Sequence, residues 1–134
     1  RRFHKAKEQK MSEVVLWGSG SVKREFLNVC DLATACLMVM QTDPSEFWKE
    51  KDVRCSWINV GSGEEVSILD LAIKIADTVG FKGEIVLDKT YPDGVARKLL
   101  DSTRMRSFGW VPQINLEQGL AGAYEDFKAR YCDL

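Results

Sequence analysis

The spacing of apolar and polar positions changes repeatedly along the chain, and each change marks an element. Residues 1–10 read as a charged, mostly exposed helix. Val14-Val15-Leu16-Trp17 reads as a strand, and residues 25–29 as a second, short one. Over residues 31–41, Leu32, Ala35, Cys36, Val39 and Met40 fall on one side of a helix. Residues 42–54 are polar and charged, with Pro44, Phe47 and Trp48, and form a loop or insertion with a short helical turn. A strand over 56–60 runs into Gly61-Ser62-Gly63. The capping box Ser67-Ile68-Leu69-Asp70 opens a helix that continues to about Val79, with Gly80 at its C-terminal cap. Residues 84–87 form a strand, and Tyr91-Pro92-Asp93-Gly94 is a turn signal. A short helix over 100–108 is opened by Asp101 or Ser102 and stopped by Gly109. Asn115 caps a last helix from Leu116 to about Tyr131, with Leu120, Tyr124 and Phe127 on one face.

Strands and helices alternating at this length predict an α/β fold of short strands flanked by helices. A complete doubly wound sheet does not fit into 134 residues patterned this way. The size suits one domain or part of one, and an apolar content of 45% is enough for a core. The opening Arg1-Arg2-Phe3-His4-Lys5-Ala6-Lys7 reads as the interior of a helix, so the expectation is a piece of a longer protein.

A net charge of −1 gives no electrostatic reason to expect nucleic acid or an anionic membrane as partner. No apolar run approaches the roughly 20 residues of a membrane span. Cys30, Cys36, Cys55 and Cys132 form no C-x-x-C pair and His4 is the single histidine, which argues against a zinc site. Reduced thiols in a cytoplasmic protein are the expectation.

Candidate chemistry concentrates at Trp17-Gly18-Ser19-Gly20-Ser21-Val22-Lys23-Arg24. An apolar strand enters a Gly-Ser-Gly turn, and an arginine opens the next apolar run. A flat aromatic face suits a base or sugar ring, and a guanidinium fork suits a diphosphate, so the pairing points to a nucleoside-diphosphate ligand. Each residue has a plainer alternative. Trp17 also reads as a core or edge aromatic, and Arg24 as a surface ion pair near Glu25. Two further motifs invite misreading. Gly61-Ser62-Gly63 lies between a strand and a helix like a dinucleotide fingerprint, but its third glycine position is Val66, so an ordinary turn is the better reading. Tyr124 and Lys128 have the Tyr-x-x-x-Lys spacing of a reductase acid, yet Tyr124 is spaced with Leu120 and Phe127 as a core residue would be.

Taken in order, Trp17-Gly18-Ser19-Gly20, Arg24-Glu25-Phe26-Leu27, Val29-Cys30-Asp31-Leu32-Ala33, Ile58-Asn59-Val60-Gly61-Ser62-Gly63, Pro92-Asp93-Gly94, Arg97-Lys98-Leu99-Leu100-Asp101 and Gly109-Trp110 carry a resemblance over nearly the whole chain. It resembles the C-terminal half of the GDP-L-fucose synthase family of extended short-chain dehydrogenases/reductases. The resemblance implies a substrate lobe of an NADPH-dependent 3,5-epimerase/4-reductase that acts on GDP-4-keto-6-deoxy-D-mannose. It implies a GDP-sugar as ligand, contacted by Arg2, Trp17, Arg24 and Asp93, with Lys98 added. NADPH, bound mainly by an N-terminal Rossmann half, and the catalytic groups would lie outside this chain. No metal is implied. The fragment alone would be inactive, the full-length enzyme a homodimer, and the Rossmann domain of the same protein its partner.

Bottom-up, Arg2 sits on a solvated basic helix, and Asp93 is common in turns for local reasons but also accepts from a guanine edge or sugar hydroxyls. One of Arg97 and Lys98 would face phosphate and the other solvent. The family's usual His-Val-Asp-Asp is here Asn28-Val29-Cys30-Asp31, with Asp31 placed to cap the next helix. Cys30 in place of an acid raises the alternative of a sibling enzyme on another GDP-deoxy- or GDP-heptose sugar, and a different nucleotide-sugar epimerase or dehydratase, for example on a UDP-sugar, is a second alternative. A third alternative is a non-catalytic nucleotide-sugar-binding or interaction domain. Trp57-Ile58-Asn59-Val60 reads as a buried strand that completes the other half, which predicts exposed apolar surface and marginal stability or self-association for the chain alone.

Overall fold

In the computed structural model, residues 1–49 and 57–131 are described. The elements in chain order are α1 (Arg2–Glu8), β1 (Glu13–Trp17), β2 (Lys23–Glu25), α2 (Val29–Gln41), α3 (Pro44–Phe47), β3 (Glu65–Ser67), α4 (Ile68–Val79), β4 (Glu84–Asp88), β5 (Arg97–Lys98), α5 (Thr103–Ser107) and α6 (Leu116–Tyr131). No described helix is long and apolar enough to cross a membrane.

Among the described residues, two small sheets take the place of one large one. β1 and β4 pair in parallel, with Val14 opposite Ile85 and Trp17 opposite Asp88. The second sheet has the order β3-β2-β5, antiparallel between β2 and β3 and parallel between β2 and β5. Alternation along β1 turns Val14 into the core and Trp17 out to solvent.

The described residues form two apolar clusters. Phe3 and Ala6 of α1, Val14 of β1, Ala72, Ala76 and Val79 of α4, and Phe81 form the first. The spacing of the α4 residues places all three on one helix face, against β1 and α1. Ser67 caps α4 by accepting from the Asp70 N–H at 3.0 Å, and Gly80 closes it with φ +77°, a conformation that glycine adopts without strain. α6 packs on α4, and its start carries a reciprocal cap: the Gln118 N–H donates to Asn115 Oδ1, and the Asn115 N–H to Gln118 Oε1. Tyr124 packs on the first core, and its hydroxyl lies 3.0 Å from His4 Nδ1. The Tyr-x-x-x-Lys spacing is therefore a packing pattern here.

Ala35, Met105 and Trp110 form the second core, with Leu27, Val39, Ile58 and Val60 against it. The Trp110 indole N–H donates to Thr34 Oγ1 at 3.1 Å, so the buried aromatic keeps a partner for its polar atom.

Four local expectations are corrected. The strand expected over 25–29 ends at Glu25, because Asn28 accepts the Cys30 N–H at 2.8 Å and starts α2 at Val29. Asp31 is consequently not the cap. It is 3% exposed, and its carboxylate accepts the N–H groups of Gln113 and Ile114 at 3.1 and 3.0 Å. Residues 57–60 form no strand, since no described strand pairs with them (Ser56 lies outside the described residues). Ile58 and Val60 pack on the second core instead, and the Asn59 amide donates to Asp101 O. The helix expected over 100–108 shrinks to Thr103–Ser107, with Asp101 Oδ1 accepting the Thr103 N–H. The expected helical turn in the 42–54 segment is α3, capped by Asp43.

The helix face expected to be the apolar side of α2 is largely uncovered. Only Ala35 of that set is buried, whereas Leu32, Cys36 and Met40 are exposed, Met40 at 81%, and Val29 and Leu37 beside them are exposed too.

Candidate functional site

The site is built where the turn after β1 meets the segment joining β4 to β5. β1 and β4 end side by side, and the Gly18 N–H donates to Asp88 O at 2.8 Å, so both chains leave the sheet together. Gly18 and Gly20 both have positive φ, +86° and +73°, which bends the turn back toward β2. A Cβ at Gly18 would lie 2.5 Å from Asp93 Oδ1, so this position needs glycine for space as well as for backbone angle.

Asp93 does not serve a local turn. Its carboxylate accepts the Ser19 N–H at 2.8 Å across the cleft between the two segments. Hydrogen bonding from Ser19, side chain first and backbone second, holds the Asp93 carboxyl below the usual carboxylate range. Trp17, 63% exposed, stacks on Tyr91, with ring centroids 4.5 Å apart and planes 14° from parallel. The core alternative for Trp17 is thus excluded, and Trp17 is an edge aromatic stacked on Tyr91.

Arg24 forms no ion pair with Glu25. Its Nη1 donates to Lys23 O at 2.6 Å and to Val95 O at 2.8 Å, which fixes the plane of the guanidinium, and Nη2 lies over Gly94. Lys98 is the β5 residue directly opposite Arg24, so alternation puts both on the same face of the second sheet. Arg97, on the opposite face, is tied to Glu65 at 2.6 Å; each partner favours the other's charged form, which raises the Arg97 pKa and lowers that of Glu65. Of the basic pair, Lys98 is the one placed beside Arg24. Arg2 stands apart on α1, where Nη1 donates to Val15 O at 2.8 Å, and so reaches the strand that ends in Trp17.

The structure therefore ties Asp93 to the turn that follows Trp17, sets Arg24 against Gly94 and Val95 in the same segment as Asp93, pairs Lys98 with Arg24 across β2 and β5, and ties Arg2 to the strand that ends in Trp17. Sequence reasoning missed two residues. Tyr91 was legible only as the first residue of a turn signal, although an aromatic there was itself a clue. Glu25 gave no sign of its role: its carboxylate accepts the N–H of Gly63 at 2.6 Å and of Leu100 at 3.2 Å, anchoring the loops on both sides of β2.

The Gly61-Ser62-Gly63 turn is filled by that same carboxylate. A Cβ at Gly61 would stand 2.5 Å from Glu25 Oε1, and the Gly63 N–H already has its acceptor. The turn is not a free cradle for a dinucleotide pyrophosphate. A separate cleft of about 430 Å³, lined in part by Phe26, Glu64, Lys74 and Ile114, contains none of the five site residues.

The chain is α/β, and the model of the NAD dependent epimerase/dehydratase family matches its residues 1–50. Curated relatives at 40–50% identity are GDP-L-fucose synthases, and the chain spans 35–40% of their length. It is 46% identical over 127 residues to the GDP-L-fucose synthase of Escherichia coli K12, covering 95% of this chain and 40% of that protein. Among solved structures, a GDP-6-OMe-4-keto-L-xylo-heptose reductase from C. jejuni superposes with a TM-score of 0.86 at 30% identity, over 97% of this chain and 46% of the other. A GDP-mannoheptose C4 reductase from Campylobacter jejuni with NADP bound gives 0.81 at 32% identity, over 96% and 42%.

Proposed function

We propose that this chain is the sugar-nucleotide-binding part of a GDP-L-fucose synthase. The whole enzyme would carry out the NADPH-dependent 3,5-epimerisation and 4-reduction of GDP-4-keto-6-deoxy-D-mannose. The observation that supports the reading is that one segment, residues 91–95, stacks on the exposed Trp17 indole, ties its carboxylate to Ser19 and braces the Arg24 guanidinium, with Lys98 opposite Arg24 on the next strand. The guanidinium and Lys98 suit a diphosphate. Trp17 suits a ring, and Asp93 suits hydroxyl or amide donors. Arg2 extends the basic edge along β1.

These residues bind and orient. Fixing the nucleotide end of a substrate turns binding energy into positioning of a distant reacting carbon. The chemistry of the reaction calls for a proton donor and acceptor at the sugar and for a hydride source. NADPH would supply the hydride, and the groups that bind it would belong to the larger part of the relatives' length that this chain does not span. The uncovered face of α2 and the unpaired residues 57–60 are the surface that an N-terminal Rossmann domain would cover. Assembly as a homodimer in the cytoplasm completes the proposal.

The reading is tested by amide-correlation NMR with GDP-L-fucose and a UDP-sugar. GDP-L-fucose alone should shift the Trp17 indole and the amides of residues 18–24. A dispersed spectrum that ignores GDP-L-fucose refutes the reading. The heptose reductase neighbours make a sibling GDP-sugar the second candidate, and a GDP-heptose that shifts the same signals more strongly would favour it.

A further inference from the structure

Trp17 is not a lone aromatic. Tyr91, from a segment more than seventy residues further along the chain, covers one indole face in a near-parallel stack. Both rings are held by the backbone around them. The Gly18 N–H bonds Asp88 O and the Ser19 N–H bonds Asp93, so hydrogen bonds flank the stack on both segments. Despite the stack, Trp17 is still 63% exposed and Tyr91 43% exposed. The free indole face is therefore open to solvent.

We infer that Tyr91 is a positioning residue of the sugar-nucleotide site, the fixed bottom layer of a three-ring stack. Tyr91 lies below, Trp17 in the middle, and a ring of the ligand on the free face. The inference rests on the proposed function and adds a residue to it. An unsupported indole must be ordered when a ligand stacks on it, at a cost equal to about two- to tenfold in Kd. Tyr91 removes that cost beforehand and offers the ligand only one face. The ring does this work, and the hydroxyl is dispensable.

The test is fluorine NMR of the chain labelled with 5-fluorotryptophan, the Trp17 line being assigned by Trp17→Phe. The probe is GDP-L-fucose. Tyr91→Phe should keep Kd within about twofold, and Tyr91→Ala should raise it about three- to tenfold. The Trp17 line of free Tyr91→Ala should also move toward that of exposed Trp57, while the line of buried Trp110 stays in place and reports an intact fold. If Tyr91→Ala binds like the unaltered chain, this inference fails and the proposed function stands. If Tyr91→Phe weakens binding as much as Tyr91→Ala, the hydroxyl is responsible and the stacking argument fails. If the unaltered chain shows no response at Trp17, both readings fall together.

Discussion

Asp31→Ala should be among the most damaging single changes to this fold, and Asn28→Ala a mild one. A reading that makes Asp31 the cap of α2 expects Asp31→Ala to cost no more than the loss of a cap. The Asp31 carboxylate is buried at 3% exposure and accepts two backbone N–H groups, from Gln113 and Ile114. Those bonds tie the segment between Trp110 and α6 to the first turn of α2. Hydrogen bonds to a charged group contribute about 1.5–3 kcal/mol each, and the alanine leaves both donors without an acceptor. The expected loss is about 3–5 kcal/mol. Asn28→Ala removes only the cap contact to Cys30, about 1 kcal/mol. For a chain of this size each kcal/mol lowers Tm by about 4 °C, so the two changes should lower it by about 12–20 °C and about 4 °C. Asp31→Asn should fall between, since it keeps one acceptor oxygen and turns an amide donor toward the other N–H. Thermal and urea melts followed by far-ultraviolet circular dichroism read all three. A Tm for Asp31→Ala within 4 °C of the unaltered chain, or a larger loss for Asn28→Ala, would refute the reasoning.

The Asp93–Ser19 tie should be acid-labile. Hydrogen bonding lowers the folded pKa of Asp93, so the tie is intact above the pKa of the unfolded chain and is lost as pH falls through the folded value. The Ser19 amide shift should titrate with a midpoint below the ordinary aspartate range, and a midpoint at or above that range counts against the bond. Gly18→Ala should break the same tie. A Cβ there meets Asp93 Oδ1 and imposes a left-handed backbone on alanine, at about 1–2 kcal/mol of strain. Retention of the acid titration of Ser19 in that variant would contradict this. The uncovered face of α2 should make the chain self-associate. Leu37→Glu with Met40→Lys should lower its sedimentation coefficient at high concentration, whereas an unaltered chain that stays monomeric throughout would dispose of the idea.

Local signals carried much of this structure. The Ser67 cap, the Gly80 stop and the Asn115 cap are short-range chemistry, visible in three or four consecutive residues, and all three hold. What escaped was long-range. Nothing near Asp31 shows that its partners lie some eighty residues away, and an aspartate at the start of a helical pattern looks like a cap. Residues 57–60 are apolar enough for a strand, but a strand exists only with a neighbour to pair with, which single-residue propensities do not encode. The site divides the same way. Trp17 and Arg24 stood out because a Gly-Ser-Gly turn placed them together, whereas Tyr91 became part of the site only through the contact of two distant segments.

The parallel pairing of β1 with β4 governs how this fold can be made. Val14 meets Ile85 only after roughly seventy further residues have been synthesised. At about 5–20 residues per second, β1 leaves the ribosome some 4–14 s before its partner. During that wait its inward valine and leucine have only α1 to lean on, and the outward tryptophan has no tyrosine beneath it. Contacts of such sequence separation slow folding. The helix whose apolar face belongs to the same core, α4, is completed just ahead of β4. Its arrival is therefore the event that brings the two strands within reach, and the stack of Trp17 on Tyr91 forms only after it.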